Sequence, residues 1–255
     1  MRFEIHAVVL PFLLLAVDAA AQAPEFRRPA LRYLFDAPTR SVRAVNGVPG
    51  AAWMGEAVLA EVTAAAISPD GRAALCRRQD RLVWLVLPES GAAEALEVEG
   101  ADGEAGLMSW SADSRRAVIG GARRKAAQIV TRLNGVPRAG AAIDLSALEG
   151  EIASLTILPG DGRVLAGMRS DDSGGLYLTE PGAGTIRLAE MRDPAPPLFA
   201  PDGETLYVAD RGSGEVLALH GLGEIPRVER MAPAVEGGLA AAAPGGGGRL
   251  FVAAA

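Results

Sequence analysis

Five short stretches decide the fold: SPDGR at 68–72, SADSR at 111–115, PGDGR at 159–163, APDGE at 200–204 and PGGGGR at 244–249. Aligned on Asp70, Asp113, Asp161, Asp202 and Gly247, they recur at spacings of 43, 48, 41 and 45 residues. Asp-Gly and Gly-Gly supply the positive φ that a tight hairpin turn requires, and proline presets the residue before them. An apolar run precedes each turn (TAAAIS, GLMSWS, SLTIL, PPLFA, GLAAAA), and another follows it (AALC, AVIG, VLAG, TLYVA, LFVAAA). A third run comes next: LVWLVL (82–87), AQIVTRL (127–133), GLYLTE (175–180) and EVLALH (215–220). A fourth, more polar run closes each unit: EALEVE, AAIDL, TIRLAE and PRVERM.

Four short strands per period of about 43 residues predict an all-β chain built as a β-propeller. Such strands cannot bury both faces alone, so the blades must stack around an axis. No window of 11–18 residues after the N-terminal segment sustains helical apolar spacing without a Gly or Pro. The ends fit a ring. The fifth unit stops at Ala255 after two strands, while LRYLFD (31–36) and SVRAVNG (41–47) read as the third and fourth strands of a blade. Joining them predicts five four-stranded blades, with closure shared by the two termini and no sheet edge left open. The rival is a shortened form of a six- or seven-bladed propeller.

The segment ETLYVADRGSGEVLAL (204–219), preceded by APDG, resembles the YVTN type of propeller repeat. ISPDGR at 67–72 is similar to blades of WD-repeat and Tol-type propellers. No unit carries the Gly-His and Trp-Asp dipeptides of true WD repeats. The resemblance covers about 220 residues and implies a secreted or periplasmic propeller whose usual role is binding, although such repeats host unrelated functions.

Residues Ala7 to Val17 form an apolar run of 11 after Arg2, followed by Ala19-x-Ala21. A run this short does not span a bilayer and reads as a signal peptide over 1–21, leaving 22–255 as the propeller domain in the periplasm or outside the cell. The rare residues then exclude chemistry. One cysteine, Cys76, allows neither an intramolecular disulfide nor a cysteine-rich zinc site. Of two histidines, His6 falls in the leader, so a multi-histidine metal centre is excluded. A serine–histidine pair would have only His220 as base. With a pI near 5.1, no nucleic-acid partner is expected.

In a blade the first strand lines the axis, and the loops entering it open on the same face as the loops between the second and third strands. A carboxylate stands just before each first strand: Glu61, Glu104, Glu151, Asp193 and Glu236. The second-to-third loops of that face carry Arg77, Arg78, Arg81, Arg123, Arg124, Lys125, Arg169 and Arg211. The expected face is an acidic ring inside a basic collar. Three roles are open to it: charges that pair across neighbouring blades; arginines that clamp the carboxylates or sulfates of a protein or polysaccharide; or carboxylates, with Asp171 and Asp172, around a divalent cation. The reading chosen here is a monomeric, cofactor-free, non-enzymatic binding or scaffold module. Its binding residues are Glu61, Glu104, Glu151, Asp193, Glu236, Arg77, Arg123, Arg124 and Arg211. The alternative is a carbohydrate-active enzyme resembling glycoside hydrolases, with Glu104, Glu151 or Glu236 as acid and base.

Overall fold

A computed structural model describes residues 32–48, 51–88, 92–121, 124–160, 162–172, 174–200, 203–232, 239–245 and 249–254. These residues form antiparallel strands joined by turns. Sheet 1 holds β1 (Arg32–Asp36), β2 (Ser41–Val48) and β3 (Ala51–Leu59), in that order. Sheet 2 holds β4 (Val62–Ile67), β5 (Ala73–Arg78), β6 (Arg81–Val86) and β7 (Glu94–Glu97). Sheet 3 holds β8 (Leu107–Trp110), β9 (Arg116–Gly121), β10 (Ala126–Leu133) and β11 (Val136–Ala139), with β12 (Ile143–Asp144) pairing the start of β10. Sheet 4 holds β13 (Glu151–Ile157), β14 (Val164–Arg169), β15 (Gly175–Glu180) and β16 (Gly184–Glu190). Sheet 5 holds β17 (Leu198–Phe199), β18 (Thr205–Ala209), β19 (Val216–His220) and β20 (Arg227–Ala232). Sheet 6 is the pair β21 (Leu239–Gly245) and β22 (Arg249–Ala254).

Apart from β12, which pairs with β10, the strands of each sheet pair in sequence order as a meander, as the repeat predicts. First strands lie beside first strands, β4 near β8, β8 near β13 and β17 near β21, while β1 of sheet 1 lies near β4. The cores are accordingly sandwiched between successive sheets. Leu75, Trp84, Trp110 and Ile119 fill the space between sheets 2 and 3. Ile152, Leu155, Val118 and Leu145 fill that between sheets 3 and 4, and Leu165, Leu176, Leu206 and Leu219 that between sheets 4 and 5. Trp84 and Trp110 meet edge to face, with centroids 4.8 Å apart, and the Trp110 indole N–H donates to the Ala66 carbonyl at 2.8 Å. An aromatic pair with a satisfied N–H is a strong inter-sheet lock.

The repeated turns do what their chemistry predicts. In SPDGR the Ser68 hydroxyl accepts from the Ala73 amide at 2.9 Å, Asp70 Oδ1 accepts from the Arg72 amide at 3.0 Å, and Gly71 takes φ +72°. SADSR copies the arrangement with Ser111 and Asp113, although Ser114 occupies the positive-φ position at 59°. These turns also join neighbouring sheets. The Asp70 amide donates to Ser114 Oγ at 3.0 Å, and Arg116 donates to the Gly160 carbonyl. Asp161, Asp202 and Gly247 lie outside the described residues.

Two expectations are corrected. The N-terminal sheet has three strands rather than two, because AAWMGEAVL forms β3. That strand is exposed along most of its length, so it lacks the alternation that marks a half-buried strand. In sheet 3 the fourth strand is β11, reached through an Asn134-Gly135 turn with φ 51° and 86°, whereas AAIDL supplies only β12. Asn-Gly is a strong hairpin signal that the period of about 43 residues obscures. The leader, residues 1–21, lies outside the described residues.

Candidate functional site

The acidic ring and basic collar resolve into a repeated ion pair. Glu61 meets Arg78 at 2.9 Å, Glu151 meets Arg169 at 2.6 Å, and Asp193 meets Arg211 at 2.9 Å. Each pair joins the entry of a first strand to the exit of the second strand beside it, and Glu151 and Arg169 are direct register partners. The pairing is therefore within a sheet, where neighbouring blades had been expected to share it. Strand geometry explains this, because opposite residues of an antiparallel pair stand side by side. Sheet 3 differs: Arg124 lies 3.6 Å from Asp102, while Glu104 donates its amide to the Asp102 carboxylate at 3.0 Å. Among the described residues Arg77 joins no carboxylate; it donates to Thr63 Oγ1 at 2.9 Å. Glu236 and Arg123 lie outside the described residues.

Among the described residues no three His, Cys, Asp or Glu side chains converge as metal ligands. Cys76 is buried in the core against sheet 1, and burial pushes its thiol up to about 12, which makes it unreactive. His220, at the end of β19, faces Thr205 and Glu229 at 3.4 and 3.5 Å.

Sheets 4 and 5 part on the same face to leave an open polar cleft of about 460 Å³. Its walls are the turn from β14 to β15 with Ser170, Asp171 and Asp172, the outer strand β16 with Arg187 and Glu190, and the crossing to sheet 5 with Met191 and Arg192. The far wall is Asp210, Ser213 and Glu215 of the next turn, with Arg230 of β20. Most of these charges are already engaged. Arg187 pairs with Glu190 at 3.4 Å, donates to the Gly174 carbonyl at 2.8 Å and lies over Tyr177; Arg230 pairs with Glu215 at 3.7 Å.

Asp210 is the buried anchor of the cleft. It accepts from the amides of Arg192 at 3.0 Å, Asp193 at 2.8 Å and Gly212 at 3.0 Å, and from the Ser213 hydroxyl at 2.8 Å. Burial alone would raise its carboxyl, but those donors prevail and hold it below the usual carboxylate range. It thereby fixes the backbone at Arg192, whose Cβ packs so close to Gly212 that a Cβ added there would lie 2.6 Å from it. Among the described residues, the Arg192 guanidinium and the carboxylates of Asp171 and Asp172 have no hydrogen-bond or ion-pair partner. The cleft thus offers one free cation and two free carboxylates. The sequence singles out the two aspartates. It gives no sign of Arg187, Arg192 and Arg230, which sit on outer strands and a crossing where the repeat imposes no residue type.

No protein-family model and no curated protein matches the chain. Solved structures do. The structure of virginiamycin B lyase from Staphylococcus aureus superposes with a TM-score of 0.59 at 10% identity, covering 86% of this chain and 72% of that one. The periplasmic gluconolactonase of Pseudomonas aeruginosa gives 0.51 at 20% identity, covering 80% and 66%. A Bacteroides uniformis protein assigned as a 6-phosphogluconolactonase gives 0.51 at 16%, covering 78% and 70%. At these identities the likeness concerns the fold, which is of the β-propeller type. It overturns the expectation of a non-enzymatic scaffold. That expectation took the scarcity of histidine and cysteine in a propeller as an argument against catalysis. Structures of this architecture include lactonases and a lyase, and a loop face bearing carboxylates and guanidinium groups can perform acid–base chemistry without either residue.

Proposed function

We propose that the protein is an exported hydrolase of small carbohydrate esters, sugar lactones foremost, acting in the cleft between sheets 4 and 5. The observation that carries the reading is the free Arg192 guanidinium sharing that cleft with the free carboxylates of Asp171 and Asp172. The lactonase names among structures of the same fold support the substrate class. In this reading one of the two aspartates removes a proton from water, and the water oxygen adds to the lactone carbonyl. Arg192 donates to the developing oxyanion. The ring C–O bond then breaks, and the departing oxygen takes the proton back from the carboxyl group. The product is the open hydroxy acid.

Asp210 holds the main-chain amide of Arg192 and so sets where that side chain leaves the backbone beside the cleft. The remaining pairs, Arg187 with Glu190 and Arg230 with Glu215, form a polar rim suited to sugar hydroxyls. The leader over 1–21 would carry the chain out of the cytoplasm. Closure of the ring belongs to the same reading in altered form. Sheet 1 brings three strands and lacks one of a full blade, so a C-terminal strand added beside β1 would complete it.

The test is acid release from glucono-δ-lactone and its 6-phosphate, followed by titration and by product mass. A gain of one water marks hydrolysis. Arg192→Ala is expected to lower kcat/KM by roughly 10²-fold, and the double change Asp171→Asn with Asp172→Asn by at least as much. A wild-type chain no faster than buffer on both lactones overturns the proposal.

A further inference from the structure

The cleft between sheets 4 and 5 is not electrically neutral. Five carboxylates line it, Asp171, Asp172, Glu190, Asp210 and Glu215, against the three guanidinium groups of Arg187, Arg192 and Arg230. The formal excess is two negative charges. Asp210 is buried yet keeps its charge, because the donors around it hold its carboxyl below the usual carboxylate range. The ion pairs that adjoin the cleft along the chain, Glu151 with Arg169 and Asp193 with Arg211, add no net charge. The acidic groups also stand on every wall: the turn after β14, the end of β16 and the turn after β18.

The arginines do not offset this excess for an anion. Arg187 is held three ways, by Glu190 at 3.4 Å, by the Gly174 carbonyl at 2.8 Å and by the Tyr177 ring at 5.9 Å. Arg230 is paired with Glu215 at 3.7 Å. A phosphate ester carries a charge of about −1.5 to −2 near pH 7, and arginines recognise it through forked, charge-assisted hydrogen bonds. To recruit Arg187 or Arg230 it would have to displace a glutamate and then lie beside the carboxylate it displaced. Arg192 alone is left, and one guanidinium balances one charge at most. An uncharged lactone meets no such penalty. Its carbonyl oxygen needs a single donor as charge develops, and its hydroxyls can donate to the surrounding carboxylates.

We propose that the cleft selects uncharged sugar lactones and rejects their phosphate esters, with Glu190 and Glu215 setting the selection. The proposal rests on the hydrolase reading for the reaction and on the charge of the cleft for the choice of substrate. Charges of one sign in a cleft with low-dielectric walls focus their field, which repels an approaching anion. The same field acts on the product. Hydrolysis adds water to a neutral lactone and yields a hydroxy acid that ionises, so the charge that admits the substrate favours release of the product.

The experiment compares kcat/KM for glucono-δ-lactone and its 6-phosphate at low ionic strength, where screening is weakest. The neutral lactone is expected to be favoured at least about tenfold. Glu190→Gln with Glu215→Gln removes the excess charge and releases both arginines, so the preference should fall about tenfold through a gain on the phosphate ester. Glu97→Gln with Glu99→Gln changes the charge of the chain equally, but at residues paired with Arg81 and Arg138 on sheets 2 and 3, and should leave the preference as in the wild type. A phosphate ester hydrolysed as fast as the neutral lactone overturns the selection and leaves the hydrolase reading standing. A preference that moves equally in the two double variants does the same. Glucitol and glucitol 6-phosphate, open-chain analogues without an ester bond to the ring, read the choice without turnover. Saturation-transfer NMR should show contact for glucitol alone, weakened in Arg192→Ala. If neither lactone is turned over, the hydrolase reading falls; contact with glucitol alone then still sustains the charge selection, while equal contact with its phosphate, or contact with neither, overturns it.

Discussion

Two interfaces between successive sheets solve the same packing problem differently. Between sheets 2 and 3 the seam is filled by Trp84 and Trp110, and the loop face above it leaves only a hollow of about 190 Å³, walled mainly by glycine and alanine. Between sheets 4 and 5 the seam is leucine-rich, and the face above it opens into the larger cleft walled by charged side chains. Both interfaces have an apolar core close to the strands. What differs is the residue type on the crossings and outer strands, which the core does not constrain. The stable part of the repeat and the part that carries chemistry are therefore separable, and substitutions can test that separation.

The largest effect is expected in the aromatic seam. Trp110→Ala removes the edge-to-face partner of Trp84 and leaves the Ala66 carbonyl without its donor. A cost of about 3–5 kcal/mol is expected, read as a lower midpoint in chemical denaturation. Because the cleft lies two seams away, lactone hydrolysis by the fraction still folded should be unchanged. Loss of both would break the comparison.

Next comes the polar staple of the other seam. Arg163 is buried and donates to the carbonyls of Leu222 and Glu224 at 2.7 and 2.5 Å, tying the turn of sheet 4 to a loop of sheet 5. Arg163→Met keeps the stem but strands both carbonyls, at a cost of about 2–3 kcal/mol. This seam holds the cleft together from the opposite face, so hydrolysis should fall along with stability. Unfolding midpoints and single-turnover rates measured together distinguish the two seams.

The same separation explains what the sequence discloses. The turns at Ser68–Arg72 and Ser111–Arg115 are legible because a hairpin needs particular residues at particular φ. Strands β5 and β13–β15 are legible because burial on both faces demands apolar runs. The tight ion pairs of Glu61, Glu151 and Asp193 are half legible. Position along the period reveals both partners, yet only the register of first and second strands shows that they meet inside one sheet. β3 escapes notice because nothing buries it. Arg192 escapes because its significance lies in having no partner, a property of the fold with no counterpart in the chain order. The enzyme reading ranks only as the alternative in the sequence for a similar reason: scarcity of histidine is visible in composition, whereas a guanidinium sharing a cleft with two carboxylates is not.

Asp210 sharpens the comparison by pH. Its folded carboxyl titrates below the unfolded value of about 3.9, so it stabilises the native state above that value. The contribution is lost as pH falls through the lower, folded value. Asp210→Asn retains the shape but cannot accept four donors as a charged group does, so about 1–3 kcal/mol should be lost at pH 7. The difference between wild type and variant should shrink steadily below pH 4 in acid titrations followed by circular dichroism. A constant difference down to pH 2 would show that the carboxylate charge is not what holds the turn.

The smallest effect belongs to the ion pairs that looked most like a site. Glu151 and Arg169 form a short contact, and that contact raises the arginine above its already high value, its hydrogen bond to Glu151 being the leading cause. Both side chains nevertheless stand more than half exposed, where water and salt screen the attraction and long side chains lose freedom in making it. The Glu151→Gln with Arg169→Gln chain is therefore expected to melt within experimental error of the wild type and to hydrolyse lactones at the same rate. Added salt should move neither quantity. If the double change instead abolished turnover while Arg192→Ala did not, chemistry would have to move from the cleft to the rim of the axis, and the pair would be a piece of the site rather than a clasp between two strands.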